Sequence, residues 1–168
     1  MDYKISETLF DFSFAEGFNP NSRVWIYHSD RVLGIAETAQ LDQEILAFCE
    51  EWASHGSMLR ATGKVLLNRI LVLMVDESMA GASGCSIDSS VAFVKNIALK
   101  YKIDLFDRML ITYLDGDTPR TTKLHDLAGE LAGKQDETLV FDNLVKNKKD
   151  LMESGLVPVS QSWVARFL

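Results

Sequence analysis

The chain has 168 residues, of which 47% are hydrophobic and 24% charged, with a formal charge of -7. That is enough apolar material for the core of one domain, and the average charge content excludes global disorder. The acidic balance excludes a phosphate-backbone partner such as nucleic acid, and equally an anionic membrane surface. Two cysteines, Cys49 and Cys85, cannot build a disulfide framework, so a reducing, cytoplasmic setting is expected. The opening "MDYKISETLFDFSF" lacks the basic-then-apolar layout of a secretory leader. The longest apolar run, Ile70 to Val75, is far short of the ~20 residues that a membrane helix needs.

In chain order, residues 9 to 18, "LFDFSFAEGF", alternate Phe10, Phe12 and Phe14 with polar or small residues, which predicts a half-buried strand. Such an arm (residues 1–22) either docks on its own domain or is exchanged with a second subunit to make a homodimer. "NPNS" is a turn cluster, and "RVWIYHS" is a strand with Val24, Ile26 and His28 on one face and Trp25 and Tyr27 on the other. Residues 38 to 54 read as a helix with an apolar stripe of Leu41, Ile45, Phe48 and Trp52, and Gly56 stands where a left-handed terminator is expected. Strands follow near 60–66 and 69–76, joined at Leu67 and Asn68. The second is apolar throughout, as a strand buried on both faces should be.

A helix over 87–101 presents Ile87, Val91, Val94, Ala98 and Tyr101 to the core. "RMLITYL" is a strand, "DGDTP" a hairpin turn, and "RTTKL" the returning partner. The region 125–168 reads as a C-terminal extension: a short helix near 125–132, a strand at 138–141, a helix over 144–153 and the closing "SWVARFL". Within a core spanning 23–124, the order from 24 to 116 is strand, helix, strand, strand, helix, strand. This is the pattern of a ferredoxin-like core, so the expected class is α+β, with helices on one face of an antiparallel sheet.

"ILVLMVDE" matches the acidic strand of a P-loop ATPase, in which Asp76 would help to hold Mg²⁺ and Glu77 orient water. That chemistry needs a phosphate cradle, G-x-x-x-x-G-K-[ST], and no stretch of the chain supplies it. "NSRVWIYHSDR" (21–31), "VLMVDESMAGASGCSIDSSV" (72–91) and "VFDNLV" (140–145) resemble a group of uncharacterised bacterial proteins of similar length. Members of that group often carry the automatic label "ABC transporter ATPase", and the resemblance implies no established activity. With no cradle, ATPase activity is not expected.

The loop "ESMAGASGCSIDSS" runs from a core strand into a helix, a place where unpaired N–H groups can receive a ligand. Ser83, Gly84, Cys85 and Ser86 are the candidate ligand-binding residues. Cys85 is also the candidate nucleophile, with Asp76, Glu77 and Asp88 as polar help. A thiol enzyme needs a base, and the histidines are His28, His55 and His125. The architectural alternative is that Ser86 or Asp88 caps the helix and Cys85 fills space. His28, alternating with Ile26 and Val24, is expected to face inward with its hydrogen bonds satisfied. No histidine pair has metal-ligand spacing, and neither a metal nor a cofactor is expected. The leading expectation is a non-catalytic binding or regulatory domain, taking a protein partner or a small ligand at the 77–88 loop or on an open sheet face. The alternative is a small thiol-dependent enzyme centred on Cys85.

Overall fold

A computed structural model describes residues 10–168. Strands β1 (Arg23–His28), β4 (Arg60–Leu66) and β5 (Ile70–Asp76) form an antiparallel sheet in the order β1-β5-β4. Helix α1 (Ile35–Glu51) follows β1, and a small hairpin, β2 (Ala53–Ser54) with β3 (Ser57–Met58), leads into β4. Helix α2 (Gly84–Tyr101) follows β5. A second antiparallel sheet has the order β7-β6-β8-β9, from β6 (Leu110–Asp115), β7 (Thr118–Lys123), β8 (Leu139–Phe141) and β9 (Leu156–Pro158). Helices α3 (Leu124–Glu130) and α4 (Lys148–Ser154) belong to this second half. The protein is α+β. Among the described residues no helix is long and apolar enough to cross a membrane.

The first three strands have the adjacency that a split βαβ pattern requires. The fourth, β6, forms no ladder with β1. Instead β6 pairs with β7 through the Asp115–Gly116 turn and with β8 on its other side. A short hairpin and a nearby strand satisfy both edges of β6, so β1 keeps an edge that a ferredoxin-like sheet would have covered.

Helices α1 and α2 lie on one face of the first sheet. Leu41, Ile45 and Cys49 meet Leu71, Leu73 and Val75 there, and the rings of Phe48 and Phe93 stack between the helices at 4.3 Å. The other face, with Val24, Val72 and Met74, is covered by Phe10, Ala15, Leu114, Phe141 and Leu156. Both faces of the first sheet are therefore covered. Every residue of β5 is buried, as its unbroken apolar run requires.

The predicted N-terminal strand is replaced, over its described part, by a bend and a 3₁₀ turn at Ser13–Ala15; Leu9 lies outside the described residues. Asp11 Oδ1 accepts from the Ser13 N–H at 2.9 Å, and this local bond turns the chain away from extension. The phenylalanines still dock, with Phe10 against Phe12 and Phe141 at 5.6 and 6.0 Å. Lys148 Nζ secures the arm by donating to the Ala15 and Phe18 carbonyls, each at 2.8 Å. Gly56 ends no helix; with His55 it makes the turn of the β2–β3 hairpin, both at positive φ.

Candidate functional site

The outer edge of β1 begins a ladder and loses it. The Val24 N–H donates to the Lys146 carbonyl at 3.0 Å, and the Lys148 N–H to the Ser22 carbonyl at 2.8 Å. Beyond that point the turn at Asp142–Val145 carries the chain away, held by Asp142 Oδ1 accepting from the Leu144 N–H at 2.9 Å. Strand alternation points the backbone groups of Ile26 and His28 the same way as the Val24 N–H. No described residue bonds to them.

A groove of about 560 Å³ runs along this bare edge. Residues from both faces of β1 line it, Trp25 and Tyr27 from one and Ile26 and His28 from the other, as only a strand edge allows. Its walls come from Val91 of α2, the 105–108 segment, Asn143, Leu144 and Trp163. Phe106 and Leu144 leave large apolar areas exposed at the rim. A concave, mostly apolar pocket of this size with a few polar groups is the usual form of a small-molecule site.

The polar groups are unusual. Among the described residues five buried side-chain polar atoms lack a partner, and three of them, His28 Nε2, Asn143 Oδ1 and Trp163 Nε1, belong to residues that line this groove but are themselves buried behind its surface. An unpartnered buried polar atom costs about 1–3 kcal/mol, so folded chains keep few of them. His28 is only 6% exposed. Its Nδ1 lies 3.0 Å from Thr112 Oγ1 on β6, and its ring meets Phe141 edge-on. Burial pushes its pKa down from 6.5 to about 4, so the ring is neutral at pH 7. Burial also pushes the Tyr27 hydroxyl up. Asp107, the acid of the groove, is turned to Lys123 at 3.4 Å and to the Met109 N–H at 2.9 Å. The groove therefore offers apolar contact and the bare backbone groups of β1, and Arg108 also lines it.

The loop and strand end singled out from the sequence are separated and largely engaged. Asp76 Oδ1 accepts from the Ser78 hydroxyl and, at 3.0 Å, from the Ser78 N–H; Oδ2 accepts from the Asn19 N–H at 3.1 Å and faces Arg60 at 3.8 Å. These bonds, that to the Ser78 hydroxyl foremost, hold the Asp76 carboxyl below its usual range. Glu77 faces Arg23 at 3.7 Å. Asp76 and Glu77 border a shallow depression of about 310 Å³ that includes neither Cys85 nor Asp88.

Ser83, and not Ser86 or Asp88, caps α2, so the helix starts three residues earlier than its apolar pattern predicts. The Ser86 N–H donates to Ser83 Oγ at 3.3 Å and the Ser83 N–H to Ser86 Oγ at 2.6 Å. The Ser86 carbonyl accepts from Trp52 Nε1 at 2.8 Å. A Cβ on Gly84 would meet nothing within 4 Å, so that glycine marks no close approach. Cys85 is exposed, and no described residue hydrogen-bonds its thiol. His55 and His125 are exposed on the β2–β3 turn and on α3, and His28 is bonded to Thr112.

His28 was legible as inward-facing, but only one of its two nitrogens is satisfied. Asn143 and Trp163 carry no motif. The available signal was a histidine alternating with apolar residues in a strand. Comparison with protein-family models, with curated proteins and with solved structures finds no match to this chain.

Proposed function

We propose that this chain is a non-catalytic binding domain that holds a small ligand in the groove beside the open edge of β1. The observation that carries the reading is an apolar-lined groove of about 560 Å³ along a strand edge whose Ile26 and His28 backbone groups bond to no described residue. A ligand that satisfied them would recover about 0.5–1.5 kcal/mol per bond, on top of the apolar area it buried. The expected open sheet face is covered, and the polar groups of Ser83 and Ser86 bond to each other. Both features favour the strand edge over the two locations expected from the sequence. The free thiols of Cys49 and Cys85 agree with a cytoplasmic setting.

The test is a fragment screen read by ¹H–¹⁵N spectra of the whole chain. Hits should move the Trp163 indole N–H and the backbone amides of Ile26 and His28. Hits that cluster instead on residues 77–88 would overturn the groove as the site.

A further inference from the structure

The outer edge of β1 is closed at both ends and bare between them. At one end Val24 bonds to Lys146 and Ser22 to Lys148, in an antiparallel bridge centred on Arg23 and Asn147. At the other end the Asp30 N–H donates to the Asp104 carbonyl at 3.2 Å, and the Asp104 N–H donates to Asp30 Oδ1 at 3.0 Å. The Ser29 N–H donates to the Arg69 carbonyl beside β5. In an alternating strand Trp25 and Tyr27 therefore turn their backbone groups to β5, and Ile26 and His28 turn theirs outward. From Val24 to Asp30 the chain spans at most about 20 Å, room for an added strand of about four or five residues.

Such a gap selects backbone. Ile26 and His28 each present a donor and an acceptor at the spacing of a β ladder, and an extended peptide carries the matching groups at the same spacing. Side chains of an added strand alternate between the two faces. Trp25 and Tyr27, with Phe106 against the Tyr27 ring at 5.6 Å, wall one face, and Ile26 lies on the other. Both faces are apolar, so successive residues of the peptide should be apolar. The edge lies in a groove between these walls, where a single strand fits and the edge of another folded sheet does not.

Arg108 adds a charge preference. It is exposed and lines the groove. Its neighbour Asp107 is taken by Lys123 and by the Met109 N–H. No carboxylate among the described residues pairs with Arg108. A carboxylate on the ligand is its complement.

We propose, resting on the groove as the binding site, that its ligand is a short extended peptide, apolar at successive positions and carrying one carboxylate, which adds a strand to β1 at Ile26 and His28 and sets the carboxylate against Arg108.

Amide hydrogen exchange on the full chain reads the edge first. Without ligand, the Ile26 and His28 amides should exchange faster than those of Trp25 and Tyr27. Equal protection at these positions would show the edge already covered, by another part of this chain or by a second copy, and overturns the proposal. Acetyl-Val-Ile-Val-Asp-amide is then titrated. It should shift the Ile26 and His28 amides and slow their exchange by at least about tenfold. An analogue with ester links in place of the amides keeps the side chains and loses the N–H donors, and it should bind at least roughly tenfold more weakly. Asn in place of the peptide's Asp, or Arg108→Gln in the protein, should each weaken binding by about twofold to fivefold, and both together no further than either alone. A thermal melt checks that the variant folds. An ester analogue as tight as the peptide overturns strand addition, and an Asn peptide as tight as the Asp peptide overturns the carboxylate. If the peptides are inert while toluene or benzamide shifts the groove signals, the peptide class falls and the groove stands. If no probe moves a groove signal, both fall.

Discussion

His28 on β1 and Thr112 on β6 face each other across the two sheets, Nδ1 to Oγ1 at 3.0 Å, where a ferredoxin-like fold would have joined those strands by backbone ladder. The pair fixes a neutral imidazole in the interior, with a folded pKa of about 4 against the ordinary 6.5. Between those values the unfolded chain binds a proton at His28 that the folded chain refuses. Stability from this group is complete above about pH 6.5 and falls as the pH drops towards 4, by up to about 3 kcal/mol. Urea unfolding at pH 7, 5.5 and 4.5 measures it. The wild type should lose more stability over this range than His28→Gln; equal losses would show that the imidazole titrates alike in both states.

Gly63 is a strand glycine that a side chain cannot replace. A Cβ there would stand 2.5 Å from the Val72 carbonyl oxygen and 2.6 Å from Ile45 Cγ2. In a free strand alanine would gain about 0.5–1 kcal/mol over glycine. Here the clash is with backbone, so overpacking wins, and Gly63→Ala should cost on the order of 1–3 kcal/mol. Thermal denaturation against wild type is the check.

Asp42 ties α1 to the edge strand β4. Its Oδ1 accepts from the Val65 N–H at 2.8 Å, and its Oδ2 pairs with Lys64 at 3.3 Å. The half-exposed ion pair contributes at most about 1 kcal/mol, whereas an unmet buried amide costs about 1–3. Asp42→Ala should therefore destabilise by about 1–3 kcal/mol, and Asp42→Asn, which keeps an acceptor, by less than about 1. Equal losses from the two variants would mean that the charge dominates.

The two thiols should behave differently towards iodoacetamide. Cys49 is buried on α1, and burial, with Glu50 nearby, pushes its pKa up to about 12. Cys85 is exposed. Mass spectrometry of the native protein at pH 8 should find one label, on Cys85, with Cys49 reacting only after denaturation. Activation of Cys85 by a base would appear as labelling much faster than that of free cysteine.

The core was legible where a single element sets its own pattern. The stripe of Leu41, Ile45 and Trp52, the unbroken β5 and the Asp115–Gly116 turn all follow from local period or turn chemistry. Helix starts were less legible because caps lie outside the apolar period. Gly34, whose N–H is taken by Glu37 Oε1 at 3.0 Å, opens α1, and Ser83 opens α2. Three residues that line the groove, His28, Asn143 and Trp163, come from segments that no periodicity connects. Only the departure of β6 into a second sheet brings them to one strand edge, and that choice rests on tertiary pairing rather than on residue propensity.

The clasp between Lys148 and the arm carbonyls of Ala15 and Phe18 links positions 133 and 130 residues apart. During synthesis the Val24, Val72 and Met74 side of the first sheet must wait for residues 139–156 to supply Phe141, Leu151 and Leu156. From the end of β5 at Asp76 to Leu156 is about eighty residues, and at about 5–20 residues per second these take on the order of ten seconds on the ribosome. For that interval the nascent chain holds a nearly complete sheet with one greasy side bare. The finished protein hides its phenylalanine arm well; the growing one is the form that would lean on a chaperone.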